Sequence, residues 1–120
     1  MGFQSLVLIV IVLLVSAATN QAIPVDINDP HMIKVATFAV TNYNKHNTEA
    51  NLIFEKVING VSDVTENGTN YRLTLSANDG STSNNFSAIV LENPADNFTL
   101  TAFALIPHAY FFFRNSFLNY

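Results

Sequence analysis

Few side chains in this sequence of 120 residues could perform chemistry: it contains three histidines, nine carboxylates and no cysteine. His31, His46 and His108 each lack a second ligand at the spacing of a metal site, so we expect solvated or structural roles for them. Without cysteine there is no disulfide framework, no thiolate metal site and no cysteine nucleophile. We can place no serine–histidine–acid constellation, glycine-rich phosphate loop or pair of acids in one pocket. An enzyme is therefore the least expected class, and no cofactor is predicted.

The composition limits the possible partners and the size of the fold. Charged residues make up 12% of the chain, and the formal net charge is −4. The sequence has no basic patch, which argues against a nucleic-acid partner. A chain of this length forms one domain, and such a domain buries enough apolar surface to fold without cross-links.

The N-terminus has the pattern of a secretory signal peptide. An unbroken apolar run, Leu6–Val15, is followed by the small residues Ser16-Ala17-Ala18. We predict a signal peptide over residues 1–22, with cleavage after Ala18 or Ala22, and therefore a product secreted to the extracellular space or the vacuole. The alternative is a retained membrane anchor, but the run is shorter than the roughly 20 residues that span a bilayer.

One segment, Asp29–Asn44, has the periodicity of an amphipathic helix. Asp29 is suited to cap the helix, and Pro30 is suited to its first position because proline has no N–H to satisfy. The apolar side chains that share one arc at 100° per residue are Met32, Ile33, Val35, Ala36, Ala39, Val40 and Tyr43. This stripe must be covered by another element.

The remaining segments alternate with the period of β-strands. The predicted extended segments are Ile23–Val25, Leu52–Val57, Asn70–Ala77, Phe86–Leu91 and Phe98–Ala102. Together with the helix they predict an α+β fold, with one α-helix packed on a four- to five-stranded antiparallel sheet. Consecutive strands of a meander are neighbours, so the Gly60–Gly68 turn and the Asn93–Asn97 turn are expected at the same end of the sheet.

Three segments resemble the plant cystatin family in the same order. They are P-V-D-I-N-D-P-H at residues 24–31, V-A-T-F-A-V-T-N-Y-N at 35–44 and G-T-N-Y-R-L at 68–73. The charged and acidic residues that are usual in the family at Thr37 and Asn42 are missing. The resemblance covers residues 23–103 and implies a cystatin-like domain. It also implies reversible inhibition of papain-like cysteine proteases by a wedge that occludes the active-site cleft.

In the resembled family the wedge consists of an N-terminal trunk and two turns. The trunk carries a Gly-Gly pair, and its position before Pro24 is held here by Asn20 and Gln21. The first turn has the family pattern Q-x-V-x-G, and the corresponding residues are Asp63, Val64, Thr65, Glu66, Asn67 and Gly68. The second turn is Pro-Trp in the family and Pro94-Ala95 here. The Gly-Gly pair, the glutamine and the tryptophan are all absent.

These departures predict weak inhibition. Truncating a buried aromatic anchor commonly costs about 2 kcal/mol or more of binding free energy. Asp63 and Glu66 are expected to place carboxylates at a tip that should be neutral, and burying an unpaired charge costs several kcal/mol. Together the two losses correspond to roughly a thousandfold weaker binding.

Three asparagines lie in N-glycosylation acceptor patterns: Asn67, Asn85 and Asn97. Chance matches are common in an asparagine-rich chain, and an acceptor within a strand is often unused. We hypothesise that a glycan on Asn67 would bar the wedge from a narrow protease cleft.

The C-terminal segment, residues 104–120, contains four consecutive aromatic residues at Tyr110–Phe113. Such a patch is either a partner-binding or membrane-touching tail, or else a frayed terminus or a wrongly assigned extension of the gene. The second interpretation is favoured because the segment has no amphipathic period.

The sequence thus predicts a secreted, monomeric, cystatin-like inhibitor of a papain-like cysteine protease. After signal cleavage it would have no membrane contact and no nucleic-acid partner. The alternative is a non-inhibitory interaction protein built on the same fold.

Overall fold

A computed structural model describes residues 22–107 as one helix lying on a five-stranded antiparallel sheet. The elements, in chain order, are β1 (Ile23–Pro24), α1 (Pro30–His46), β2 (Ile53–Thr65), β3 (Gly68–Asn78), β4 (Ser83–Glu92) and β5 (Phe98–Ile106). The strands follow the order β1-β2-β3-β4-β5 across the sheet. The predicted α+β fold is confirmed. The predicted signal peptide and most of the tail lie outside the described residues.

Helix α1 begins where the sequence predicted. The Asp29 carboxylate accepts a hydrogen bond from the backbone N–H of His31 at 2.9 Å, and Pro30 occupies the first helical position. The helix ends at His46, two residues beyond the predicted end. Lys45 and His46 then lie in the last turn, where positive charge is favoured by the helix dipole. No helix among residues 22–107 combines the length and apolarity needed to span a bilayer.

The apolar stripe of α1 packs on the inner face of the sheet. The fully buried side chains of the core include Val35, Leu73, Leu75 and Val90. The predicted alternation is confirmed in β3 and β4, where Tyr71, Leu73, Leu75, Ala77, Phe86, Ala88 and Val90 are all buried. Ile33 departs from the prediction, because it lies at the margin of the stripe and remains 44% exposed.

One polar side chain, Asn44, connects the end of the helix to the residue that precedes β2. The Asn44 side-chain amide donates to the carbonyl oxygen of Leu52 at 2.8 Å, and its oxygen accepts from the Leu52 N–H at 3.0 Å. These two bonds fix the connection from α1 to β2.

The largest differences from the predicted strand boundaries are in β2 and β5. Strand β2 continues to Thr65 instead of ending at Val57, because its backbone pairs with β3 along its length and with β1 at Val61 and Ser62. Strand β5 continues to Ile106, three residues beyond the predicted domain end at Phe103, because its backbone pairs with β4 as far as Asn85.

Candidate functional site

The two turns predicted to form the wedge lie side by side at one end of the sheet. Thr69, at the start of β3, pairs with Glu92, at the end of β4. A surface depression of about 490 Å³ lies between the turns, and its lining includes Val64, Gly68, Pro94 and His31. The predicted juxtaposition of the turns is therefore confirmed.

The first turn is shorter than the sequence predicted. Thr65 pairs with Gly68, which leaves only Glu66 and Asn67 at the tip, while Asp63, Val64 and Thr65 belong to β2. The Thr65 hydroxyl donates to the Gly68 carbonyl oxygen at 3.1 Å and accepts from the Asn67 N–H at 3.2 Å. This side chain therefore fixes a turn whose two tip residues are exposed to solvent.

At Gly68 the first turn packs directly against the start of the second turn. Its φ of +132° is rarely adopted by residues with a side chain. A Cβ at this position would overlap the Glu92 carbonyl oxygen and lie 2.8 Å from the Cα of Asn93. The two turns approach so closely that only glycine fits between them.

Asp63 does not lie at the tip, contrary to the expectation that it would meet the protease there. Its carboxylate is 3.4 Å from the Arg72 guanidinium on the neighbouring strand, and its side chain is only 23% exposed. Within the first turn, Glu66 alone contributes a carboxylate to the tip.

The second turn, Asn93–Asn97, is held by the side chain of its first residue. The Asn93 side-chain oxygen accepts hydrogen bonds from the N–H groups of Ala95 and Asn97, each at 3.0 Å. Asp96 takes a left-handed conformation with φ of +63°, which Asp tolerates better than most residues. Pro94 and Ala95 are exposed, and neither offers an aromatic anchor.

Beneath the second turn lies a cluster of three titratable side chains, His31, Tyr71 and Glu92. One Glu92 carboxylate oxygen is 2.7 Å from His31 Nε2 and accepts from the Tyr71 hydroxyl at 3.1 Å. The Glu92 side chain is 11% exposed. Burial raises the pKa of Tyr71 to about 12, and the hydrogen bond to Glu92 and the charges of Glu92 and Asp29 act in the same direction.

This cluster corrects the expectation that His31 is solvated. His31 is partly buried and joins the start of α1 to the end of β4. Its partner is 61 residues away in sequence, so the packing of α1 on the sheet brings the two together. The available signals were the N-terminal position of His31 in the helix and the inward-facing Tyr71, and neither identified Glu92.

The N-terminal segment approaches the same end of the sheet. Ile23 lies opposite Ser62 and Pro24 opposite Val61, so β1 enters the sheet from the side of the first turn. Gly60 accommodates this segment, since a Cβ there would lie 3.2 Å from a Val25 methyl and 2.5 Å from Leu73. Asn20 and Gln21, the predicted trunk residues, lie outside the described residues.

The three glycosylation candidates occupy different environments. Asn67 is exposed at the tip of the first turn, and Asn97 is exposed at the end of the second. Asn85 is partly buried within β4, where it pairs with Ser76 on one side and Ile106 on the other.

Residues 22–107 contain no group of three side chains that could hold a metal ion. His46 is 2.9 Å from the Asn42 carbonyl oxygen of its own helix, and His108 lies beyond the described range. What this end presents is a ridge of two turns flanked by a short edge strand.

Comparison with known proteins identifies relatives along most of the chain. A family model described as aspartic acid proteinase inhibitor matches residues 25–106. Cysteine proteinase inhibitor 5 of Arabidopsis thaliana is 41% identical over 104 residues, which cover 82% of this chain and 84% of that protein. Putative cysteine proteinase inhibitor 7 of Oryza sativa subsp. japonica is 36% identical over 74% of this chain and 80% of its own length. Cystatin-1 of Zea mays is 37% identical over 63% of this chain and 55% of its own length.

Proposed function

Since the chain belongs to the plant cystatin family of protease inhibitors, we propose that it inhibits a papain-like cysteine protease by reversibly occluding its active-site cleft. The occluding wedge comprises the first turn with Val64, the second turn with Pro94 and Ala95, and the N-terminal segment around Ile23. The protein acts as a binding partner of the protease and is not itself an enzyme.

The observation that carries this proposal is the exposure of apolar side chains at the wedge end. Val64 is 66% exposed and Ile23 is 63% exposed, although both are large hydrophobic residues. Pro94 is exposed in the second turn and lines the same depression as Val64. Burying such side chains in a partner's cleft contributes roughly 25 cal/mol of favourable free energy per Å² of apolar surface removed from water. Their exposure in the free protein does not stabilise the fold, which is typical of a binding surface.

We expect the inhibition to be weak compared with a wedge that carries an indole. Ala95 offers only a methyl group where an aromatic anchor would contribute about 2 kcal/mol or more. Glu66 brings a charge to the tip, and desolvating it without a partner opposes binding. Asp63 adds less to this loss than the sequence suggested, because Arg72 already neutralises it.

The direct test is inhibition of papain by the chain from Ile23 onward, together with its circular dichroism spectrum. A folded chain that inhibits competitively at nanomolar to low micromolar concentration supports the proposal. A folded chain without inhibition at high micromolar concentration contradicts it and favours a non-inhibitory interaction protein on the same fold.

We also propose that the protein enters the secretory pathway, with residues 1–22 as its signal peptide. The support is the apolar run followed by small residues. Expression of the full sequence in plant cells, followed by N-terminal sequencing of the product, tests this. A mature N-terminus at Thr19 or Ile23 is expected, whereas an uncleaved chain retained in membranes would point to an anchor.

A second candidate target is an aspartic protease. It is favoured by the family model that matches residues 25–106, whose description names aspartic acid proteinase inhibition. The same preparation should be assayed against pepsin. Inhibition of pepsin but not of papain would favour this candidate over the first.

A further inference from the structure

An N-glycosylation acceptor coincides with the tip of the first turn of the wedge. Asn67, followed by Gly68 and Thr69, is one of the two residues at the tip of the first turn, and it is exposed. Its backbone N–H is bonded to Thr65, so the turn is fixed while the side chain remains accessible to solvent.

The environment around Asn67 leaves room for a sugar. The next residue, Gly68, has a φ of +132° and turns the chain back into β3, which leaves Asn67 at the tip of the turn. Glu66, the other tip residue, is also exposed. A branched oligosaccharide attached here would project beyond the tip into solvent and would displace no described contact of the fold.

We propose that Asn67 is an occupied N-glycosylation site and that its glycan regulates the wedge by keeping the first turn out of protease clefts. The proposal rests on the proposed secretion and inhibitory function. Anchors at the centre of an interface must be desolvated and tightly packed, and a hydrophilic oligosaccharide at the tip prevents both. The glycosylated protein is therefore the inactive form.

Of the other two acceptors, Asn85 serves as an internal control, whereas Asn97 lies in the second turn of the wedge itself. Asn85 lies near the start of β4 with strands on both sides, at the opposite end of the strand from the two turns, so modification there does not reach the wedge. Asn97 lies at the far end of the second turn, where its backbone N–H is bonded to Asn93 and its side chain is exposed.

The first experiment measures occupancy. The full sequence is expressed in plant cells, the secreted product is purified, and its intact mass is compared before and after treatment with peptide-N-glycosidase A in ¹⁸O-labelled water. We expect the label at Asn67 in the peptide map. An unmodified Asn67 in the secreted protein would overturn the proposal.

The second experiment uses a matched pair of substitutions at the acceptor hydroxyl. Thr69→Val destroys the acceptor and keeps a β-branched side chain in β3, whereas Thr69→Ser preserves the acceptor. We expect the Thr69→Val protein to inhibit papain at least about a hundredfold more tightly than the glycosylated Thr69→Ser protein, because the glycan blocks the whole first turn. Equal inhibition by the two variants would overturn the regulatory role.

A third variant and a bacterial preparation separate this proposal from the proposed function. Ser87→Ala removes the Asn85 acceptor and should leave papain inhibition as in the parent protein. Protein made in bacteria carries no glycan and should inhibit like Thr69→Val. If the bacterial protein is folded but inert toward papain, the inhibitory function fails, whereas the mass measurement still decides whether Asn67 is modified.

Discussion

The two turns of the wedge are built by different means. The first has a two-residue tip held by Thr65 and by the backbone conformation of Gly68, so its structure depends on residues within four positions of one another. The second is closed by Asn93 but lies above the His31–Glu92–Tyr71 cluster, which connects it to the helix and the central strand. The first turn is thus specified locally, whereas the position of the second depends on tertiary contacts. This difference predicts which changes affect one turn and which affect both.

The largest expected effect comes from Gly68→Ala, because Gly68 is the point at which the turns meet. The new methyl would overlap the Glu92 backbone and would also sit at a φ that alanine avoids. We expect the free energy of unfolding to fall by about 3 kcal/mol or more in urea denaturation. Papain inhibition should be lost as well, since both turns must move.

Gly80→Ala is the matched control for that substitution. Gly80 also has a positive φ, of +101°, but lies in the β3–β4 turn, where a Cβ would have no atom within 4 Å. It should cost only about 1 to 2 kcal/mol, the conformational penalty alone. Equal losses of unfolding free energy from the two substitutions would show that the close approach of the turns does not contribute to stability.

Removing Glu92 should affect the second turn and spare the first. Glu92→Ala leaves the buried Tyr71 hydroxyl without its acceptor, so we expect a loss of about 2 kcal/mol in unfolding free energy. Hydrogen exchange should accelerate at the N–H groups of Ala95 and Asn97 while that of Asn67 changes little. Glu92→Gln, which keeps an acceptor oxygen, should cost less. Equal acceleration in both turns would contradict their separate construction.

The same cluster predicts loss of stability in alkali. The folded-state pKa of Tyr71 is raised to about 12 from an unfolded value of 10, so the unfolded chain releases this proton first as the pH rises. The corresponding stability is complete below pH 10 and disappears as the pH passes through about 12. We expect this contribution to be about 1 to 2 kcal/mol. Urea denaturation at pH 8 and at pH 11 measures it, and Tyr71→Phe should remove this part of the pH dependence.

The sequence predicted the features that depend on local residues better than those that depend on tertiary contacts. The helix start at Asp29 and Pro30, the inward faces of β3 and β4 and the meander were all predicted, because caps and periodicities are short-range signals. The tip of the first turn was placed too broadly, since β2 continues to Thr65 through residues that do not alternate. The His31–Glu92 contact was missed because no local sequence pattern specifies how a helix packs against a distant strand.

Ala95→Trp tests whether the second turn can be strengthened by itself. Ala95 is exposed, and its N–H is already bonded to Asn93, so a larger side chain projects outward without disturbing the turn. We expect papain inhibition to tighten by about tenfold or more, equivalent to about 1.4 kcal/mol. Ala95→Ser is the control and should change little. If the indole adds nothing, then the second turn does not enter the protease cleft.

The smallest effect is expected from Asp63→Asn. This substitution distinguishes the contribution of a carboxylate in β2 from that of a carboxylate at the tip of the first turn. The ion pair with Arg72 spans 3.4 Å, and the arginine side chain is 52% exposed, so breaking it should cost no more than about 0.5 kcal/mol of stability. Papain inhibition should also hardly change, because Asp63 lies in β2 and Glu66 holds the charge at the tip. Glu66→Gln, measured in parallel, should tighten inhibition by removing that charge. If Asp63→Asn improves inhibition as much as Glu66→Gln does, the protease must contact β2 as far as Asp63, one residue beyond Val64.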